Sequence, residues 1–87
     1  MSSGSVERVV YEYTLHRRRA SVLLYLVVAA RRAGRGAEAE RVYREWMEER
    51  LGFREALEAL ERLAGERIDE ETRKTLIEGR LPPDDSE

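Results

Sequence analysis

The sequence predicts an all-α fold, with one long N-terminal helix and three shorter helices packed along it as a small bundle. Three observations carry this. Apolar residues recur at helical spacing through most of the 87 residues. The internal glycines fall at the ends of those periodic segments, where helices stop. Proline is confined to Pro82 and Pro83, beyond the last periodic segment, so no proline breaks an earlier element.

The first helix is predicted over about residues 5–33, behind a flexible leader of residues 1–4. Val6, Val9, Tyr13, His16, Ala20, Leu23, Val27 and Ala30 fall at heptad a and d positions, and only His16 among them is polar. No Gly or Pro interrupts this stripe. Arg17, Arg18 and Arg19 are better placed in the middle of one helix than at the positive end of a new one. The second helix is predicted over about 37–51, with Ala39, Val42, Tyr43, Trp46, Met47 and Leu51 on one face and Glu38, Arg41, Glu45, Glu48 and Glu49 on the other. Gly52 separates it from the third helix, about 53–64. There Phe53, Ala56, Leu57, Leu60, Leu63 and Ala64 keep the i, i+3, i+4, i+7 pattern. The fourth, about 70–78, starts at Asp69 as N-cap. Glu70 and Glu71 oppose the dipole, and Leu76 and Ile77 supply apolar contact. Residues 80–87 are expected to be a frayed tail. The length makes one domain, with a modest core and no room for a large cavity.

The long helix sets the functional expectation. Twenty-nine residues span ~43 Å, whereas a compact domain of this size has a radius of gyration of ~12 Å. Its first half must be covered by the second and third helices lying end to end, or by a second chain. The interface is therefore expected at Val6, Val9, Val10, Tyr13, His16, Ala20 and Leu23, in a homodimer or with another protein partner. Arg17–Arg19 disfavour a parallel pair in matched register, and an antiparallel pair sets arginines near Glu7 and Glu12.

The residue alphabet narrows the chemistry. The chain has no Asn, Gln or Cys, and fifteen Arg against one Lys. It thereby lacks the amides that read bases and sugars and the usual thiol nucleophile. Such a composition resembles that of de novo designed helical proteins, rich in Ala, Leu, Glu and Arg. It also resembles the charged, amide-poor proteins of extreme thermophiles, so a thermostable chain is expected. The opening Met1-Ser2-Ser3-Gly4-Ser5 resembles an engineered linker.

No constellation for catalysis, a cofactor or a metal is legible. His16 is the lone histidine, and a metal site needs three or four ligands. Ser21 has no glycine elbow and no orienting partner. Gly34-Arg35-Gly36 lacks the Lys-Ser/Thr of a phosphate loop. The longest apolar run, Val22 to Ala30, is too short for a membrane span. No segment reads as a secretory signal, and a cytoplasmic setting is the default expectation.

Nucleic acid is the alternative. Residues 1–37 hold seven Arg and two Glu, whereas residues 38–87 hold nine basic and sixteen acidic residues. Arg17, Arg18, Arg19, Arg31, Arg32 and Arg35 form a basic stretch. The alternation of Val9, Tyr11, Tyr13 and Leu15 also fits a strand. Strand, helix, Gly34-Arg35 turn and helix over about residues 8–51 then resemble the ribbon-helix-helix repressors, which implies a DNA-binding dimer reading the major groove through paired strands. The helical reading matches more residues, since a lone strand finds no partner elsewhere in the sequence. The sequence is thus read as a non-catalytic structural or protein-interaction domain.

Overall fold

Residues 3–80, described by a computed structural model, form four α-helices and, among the described residues, no strand. The helices are α1 (Ser3–Arg32), α2 (Gly36–Met47), α3 (Phe53–Ala64) and α4 (Glu70–Glu78). The all-α prediction therefore holds, and residues 9–15 belong to α1. The strand on which the ribbon resemblance rests is not formed. Residues 1 and 2 of the expected leader, and 81–87 of the expected tail, lie outside the described residues. Ser3 and Gly4 are already helical.

One core joins all four helices. Leu23, Leu26, Val27 and Ala30 of α1 meet Ala39 and Trp46 of α2, Phe53, Ala56, Leu57 and Leu60 of α3, and Leu76 of α4. All but Leu26 are apolar positions that helical spacing picks out, and Met47, expected on the same apolar side of α2, is 47% exposed instead. The directions of the helices follow from their contacts. Trp46, near the end of α2, stacks on His16, with ring centroids 5.0 Å apart and planes 14° from parallel. Phe53, at the start of α3, lies under the Arg19 guanidinium at 4.9 Å. Arg35, at the start of α2, donates to the carbonyl of Arg62 near the end of α3. So α2 runs antiparallel to α1 and α3 runs back parallel to it. The two lie side by side over the same stretch of α1, not end to end as the length argument allowed. Both also pack on each other.

The boundary of α2 departs from the sequence reading. It stops at Met47 rather than 51, because the chain turns left-handed at Glu49, with φ 64°. The Arg50 N–H donates to the Glu45 carbonyl at 2.8 Å and the Glu49 N–H to that of Trp46 at 3.0 Å. This is the double closure of a Schellman ending, with glutamate where glycine is usual. Gly52, taken from the sequence as the stop of this helix, instead opens α3. Its backbone is extended, and its N–H donates to the Glu55 carboxylate. Gly36 has a different task. A Cβ there would sit 2.5 Å from Cγ of Arg31, so only glycine lets the start of α2 approach α1 this closely.

The turn between α3 and α4 is held by a buried ion pair. Glu61 is 6% exposed, yet both its oxygens accept from Nε of Arg73 at 3.2 Å, and Oε2 also accepts from the Ile68 N–H. Asp69 caps α4 as expected, accepting from the Thr72 N–H at 2.9 Å. That bond holds its carboxyl below the ordinary aspartate value.

Two measurements check this account. Glu49→Gly removes the left-handed strain and should raise the unfolding free energy by about 1 kcal/mol in urea denaturation. Arg73→Ala leaves a buried carboxylate without its cation, and should lower it by about 3 kcal/mol.

Candidate interaction surface

Among the described residues, all the exposed large apolar side chains but Met47 lie on α1. At 30 residues α1 is ~45 Å long, whereas α2 and α3, at 12 residues each, span ~18 Å. Val6, Glu7, Arg8, Val9 and Val10 are all exposed, and the molecule measures 49 × 27 × 17 Å. Val6, Val10 and Tyr13 are 64%, 56% and 63% exposed. The surface does not end where the body begins. Leu24 and Val28, within the packed half of the helix, remain 46% and 45% exposed. At 100° per residue, Val6, Val10, Tyr13, Arg17, Ser21, Leu24 and Val28 share one stripe about 80° wide. Leu23, Leu26 and Ala30 lie on the opposite side, fully buried. So α1 is apolar on two sides, and its own chain covers one.

The residues expected at the interface divide accordingly. Val6, Val9, Val10 and Tyr13 are free of the body. His16 is exposed, but one ring face is occupied by Trp46. Ala20 is half-buried against the core. Leu23 is 0% exposed, and its place at an interface is corrected here to one in the chain's own core. The physical reason is how far the body reaches. Val9 and Val27 stand about five whole turns apart and so on the same side of α1, yet Val9 is 64% exposed and Val27 6%. Leu23 lies within the stretch that α2 and α3 cover, and Val6, Val9, Val10 and Tyr13 lie beyond it. The outward set follows i, i+4, i+7 instead, which the heptad reading passed over at Leu24 and Val28.

The basic residues divide as well. Arg19 turns inward. Its Nε and Nη2 donate to the Leu76 carbonyl at 3.0 and 2.7 Å, at the end of α4, where a cation suits the dipole. Burial pulls its guanidinium below the ordinary value, opposed by Tyr11. The Tyr11 hydroxyl donates to the Gly79 carbonyl at 2.6 Å, so α1 holds both the last turn of α4 and its glycine cap. Arg17 lies over the Tyr13 ring at 5.9 Å. Arg35 is directed to Arg62, and the stem of Arg31 lies against Gly36. The six arginines thus form no single surface, with Arg17, Arg18, Arg31 and Arg32 at the exterior.

An open groove of about 660 Å³ runs between α1 and α4 beside the apolar stripe. Arg17, Arg18 and Ser21 form one wall, and Asp69, Glu71 and Thr72 the other. Further along, the Tyr25 hydroxyl donates to Glu66 at 2.8 Å, and this bond raises the Tyr25 phenol above its ordinary value. Among the described residues, no three His, Asp or Glu side chains gather as metal ligands would, and no helix is long and apolar enough to cross a membrane. No family model matches this chain, and neither a curated protein nor a solved structure is detectably similar to it.

Arg19→Gln should release α4 from α1. Hydrogen exchange will show this as faster exchange across residues 70–78, with the amides of α3 affected less.

Proposed function

We propose that this chain is a non-catalytic protein-interaction domain that pairs with a second copy of itself through the outer side of α1. One observation carries the proposal. A stripe of Val6, Val10, Tyr13, Leu24 and Val28 stays open to water along almost the whole helix, opposite a side that is fully buried. Two exposed apolar patches on one side of a helix, Val6 to Tyr13 and Leu24 to Val28 with Arg17 and Ser21 between them, fit an interaction surface with a polar centre. A second α1 has the right length to cover it, and two-fold closure is the commonest solution for identical chains. A de novo designed origin and high thermal stability are part of the same reading. The alphabet without Asn, Gln or Cys supports them.

The exposed Arg17, Arg18, Arg31 and Arg32 support duplex nucleic acid as the second reading. Binding of this kind must weaken steeply with salt.

Sedimentation equilibrium separates the readings. The wild-type chain should give the mass of two copies at high micromolar concentration, with a melting temperature that rises with concentration. Val10→Glu with Leu24→Glu should give a monomer with an unchanged far-ultraviolet spectrum, because both positions lie outside the core. A monomeric wild-type chain that binds mixed duplex at low salt would replace this proposal with the second reading.

A further inference from the structure

We infer that the groove between α1 and α4 is the charged centre of an antiparallel dimer, in which Arg17 and Arg18 of each protomer lie against Asp69 and Glu71 of the other. This rests on the self-association proposed above and specifies its geometry. Three observations lead to it.

The groove adjoins the apolar stripe, and Arg17 and Ser21 belong to both. A helix laid on the stripe therefore runs along the groove's edge. The groove is also lined by opposite charges on its two walls. Among the described residues, Arg17, Arg18, Asp69 and Glu71 make no salt bridge with one another or with other side chains. The Thr72 N–H holds the Asp69 carboxyl below its ordinary value. A patch bearing both signs side by side is self-complementary, which an interface between identical surfaces requires.

The register completes the case. A two-fold axis normal to the paired helices, crossing α1 near residue 19, brings like flanks together. Val10 then stands opposite the partner's Val28, Tyr13 and Thr14 opposite the partner's Leu24, and Arg17 opposite the partner's Ser21. Glu7 comes beside the partner's Arg32 at each end. The groove spans the level of Thr14 to Val22, so it straddles this axis. Each acidic wall thereby meets the partner's Arg17 and Arg18. A parallel pair would instead set Arg17 on Arg17 and Arg31 on Arg31, with helix dipoles aligned. The three successive arginines, repulsive in a parallel pair, become in this arrangement the source of specificity. Arg19 caps α4 from within, while Arg17 and Arg18 reach the partner.

A charge exchange tests the inference by sedimentation. Arg17→Glu with Arg18→Glu should weaken self-association at least tenfold, by placing acid against acid. Glu71→Arg should weaken it several-fold. Asp69 is left in place because it caps α4. An equimolar mixture of the two variants should recover most of the wild-type affinity as a heterodimer, since each altered wall then meets its opposite. Circular dichroism of Arg17→Glu with Arg18→Glu should match the wild type, because both positions are exposed, and Glu71→Arg should lose no more than the signal of the first turn of α4, where Glu71 opposes the dipole. A salt titration gives an independent check. The wild-type dissociation constant should rise several-fold between about 0.05 and 0.5 M salt, as the Debye length falls below 10 Å. A dimeric wild type whose affinity is indifferent to salt, or a mixture no tighter than its weaker component, would overturn the groove contact and leave self-association standing. A wild-type chain of single mass at high micromolar concentration would overturn both.

Discussion

A helix of 30 residues cannot be covered by partners of 12 and 9, and the rest of this structure depends on that mismatch. The body forms where coverage is possible, along the C-terminal half of α1. There Leu23, Leu26, Val27 and Ala30 meet α2 and α3. Folding α2 and α3 side by side concentrates burial in one core. Laid end to end they would have spread it thinly along α1 without closing a second layer. The N-terminal turns of α1 are left outside as a consequence. Their valines and Tyr13 remain in water, joined by Leu24 and Val28 on the side of α1 that faces away from the body.

The short fourth helix shows a different balance. It has only nine residues and one fully enclosed leucine, so burial alone fastens it weakly. Directed polar contacts supply what apolar area does not. Arg73 ties its first half to the buried Glu61, while Arg19 and Tyr11 grip its last carbonyls from α1. Arginine suits this work because its planar fork satisfies two acceptors, or one acceptor twice, while its stem packs on apolar surface. The preference for Arg over Lys thus has a structural use in this fold, at Arg19 and Arg73 in particular. The same side chain on the outside, at Arg17 and Arg18, is equally suited to carboxylates on another copy.

Charge in this protein is arranged by helix more than by net balance. The basic residues gathered in α1 and the acidic ones in the later helices look, in linear order, like a binding stretch for phosphate. In three dimensions that stretch divides. Arg19 is spent on the end of α4, Arg35 on α3 and the Arg31 stem on Gly36. The groove then brings Arg17 and Arg18 beside acidic residues from far along the chain, while Arg32 stays at the exterior away from it. Opposite charges meeting across a shared groove favour a protein surface over a uniformly negative duplex.

Four helices, the buried residues of α3 and the N-cap of α4 were legible in the sequence, because each follows from short-range rules. Apolar spacing selects the buried face, and Asp69 offers the orphan donors of α4 an acceptor within three residues. The unbroken run through Arg17–Arg19 likewise required helix where alternation suggested strand. Three things were decided only in the tertiary structure. The end of α2 came four residues early, since the closing bonds to Glu45 and Trp46 outweigh the strain of a left-handed Glu49, and no rule of composition marks that site. The exposed side of α1 depended on where α2 and α3 settle. A helix apolar on two faces does not itself say which one its own chain will bury, so Leu23 went inside and Leu24 stayed out. The groove depended on distance along the chain. Arg18 and Asp69 have no local relation, and they share a surface because Arg19 and Tyr11 hold α4 against α1.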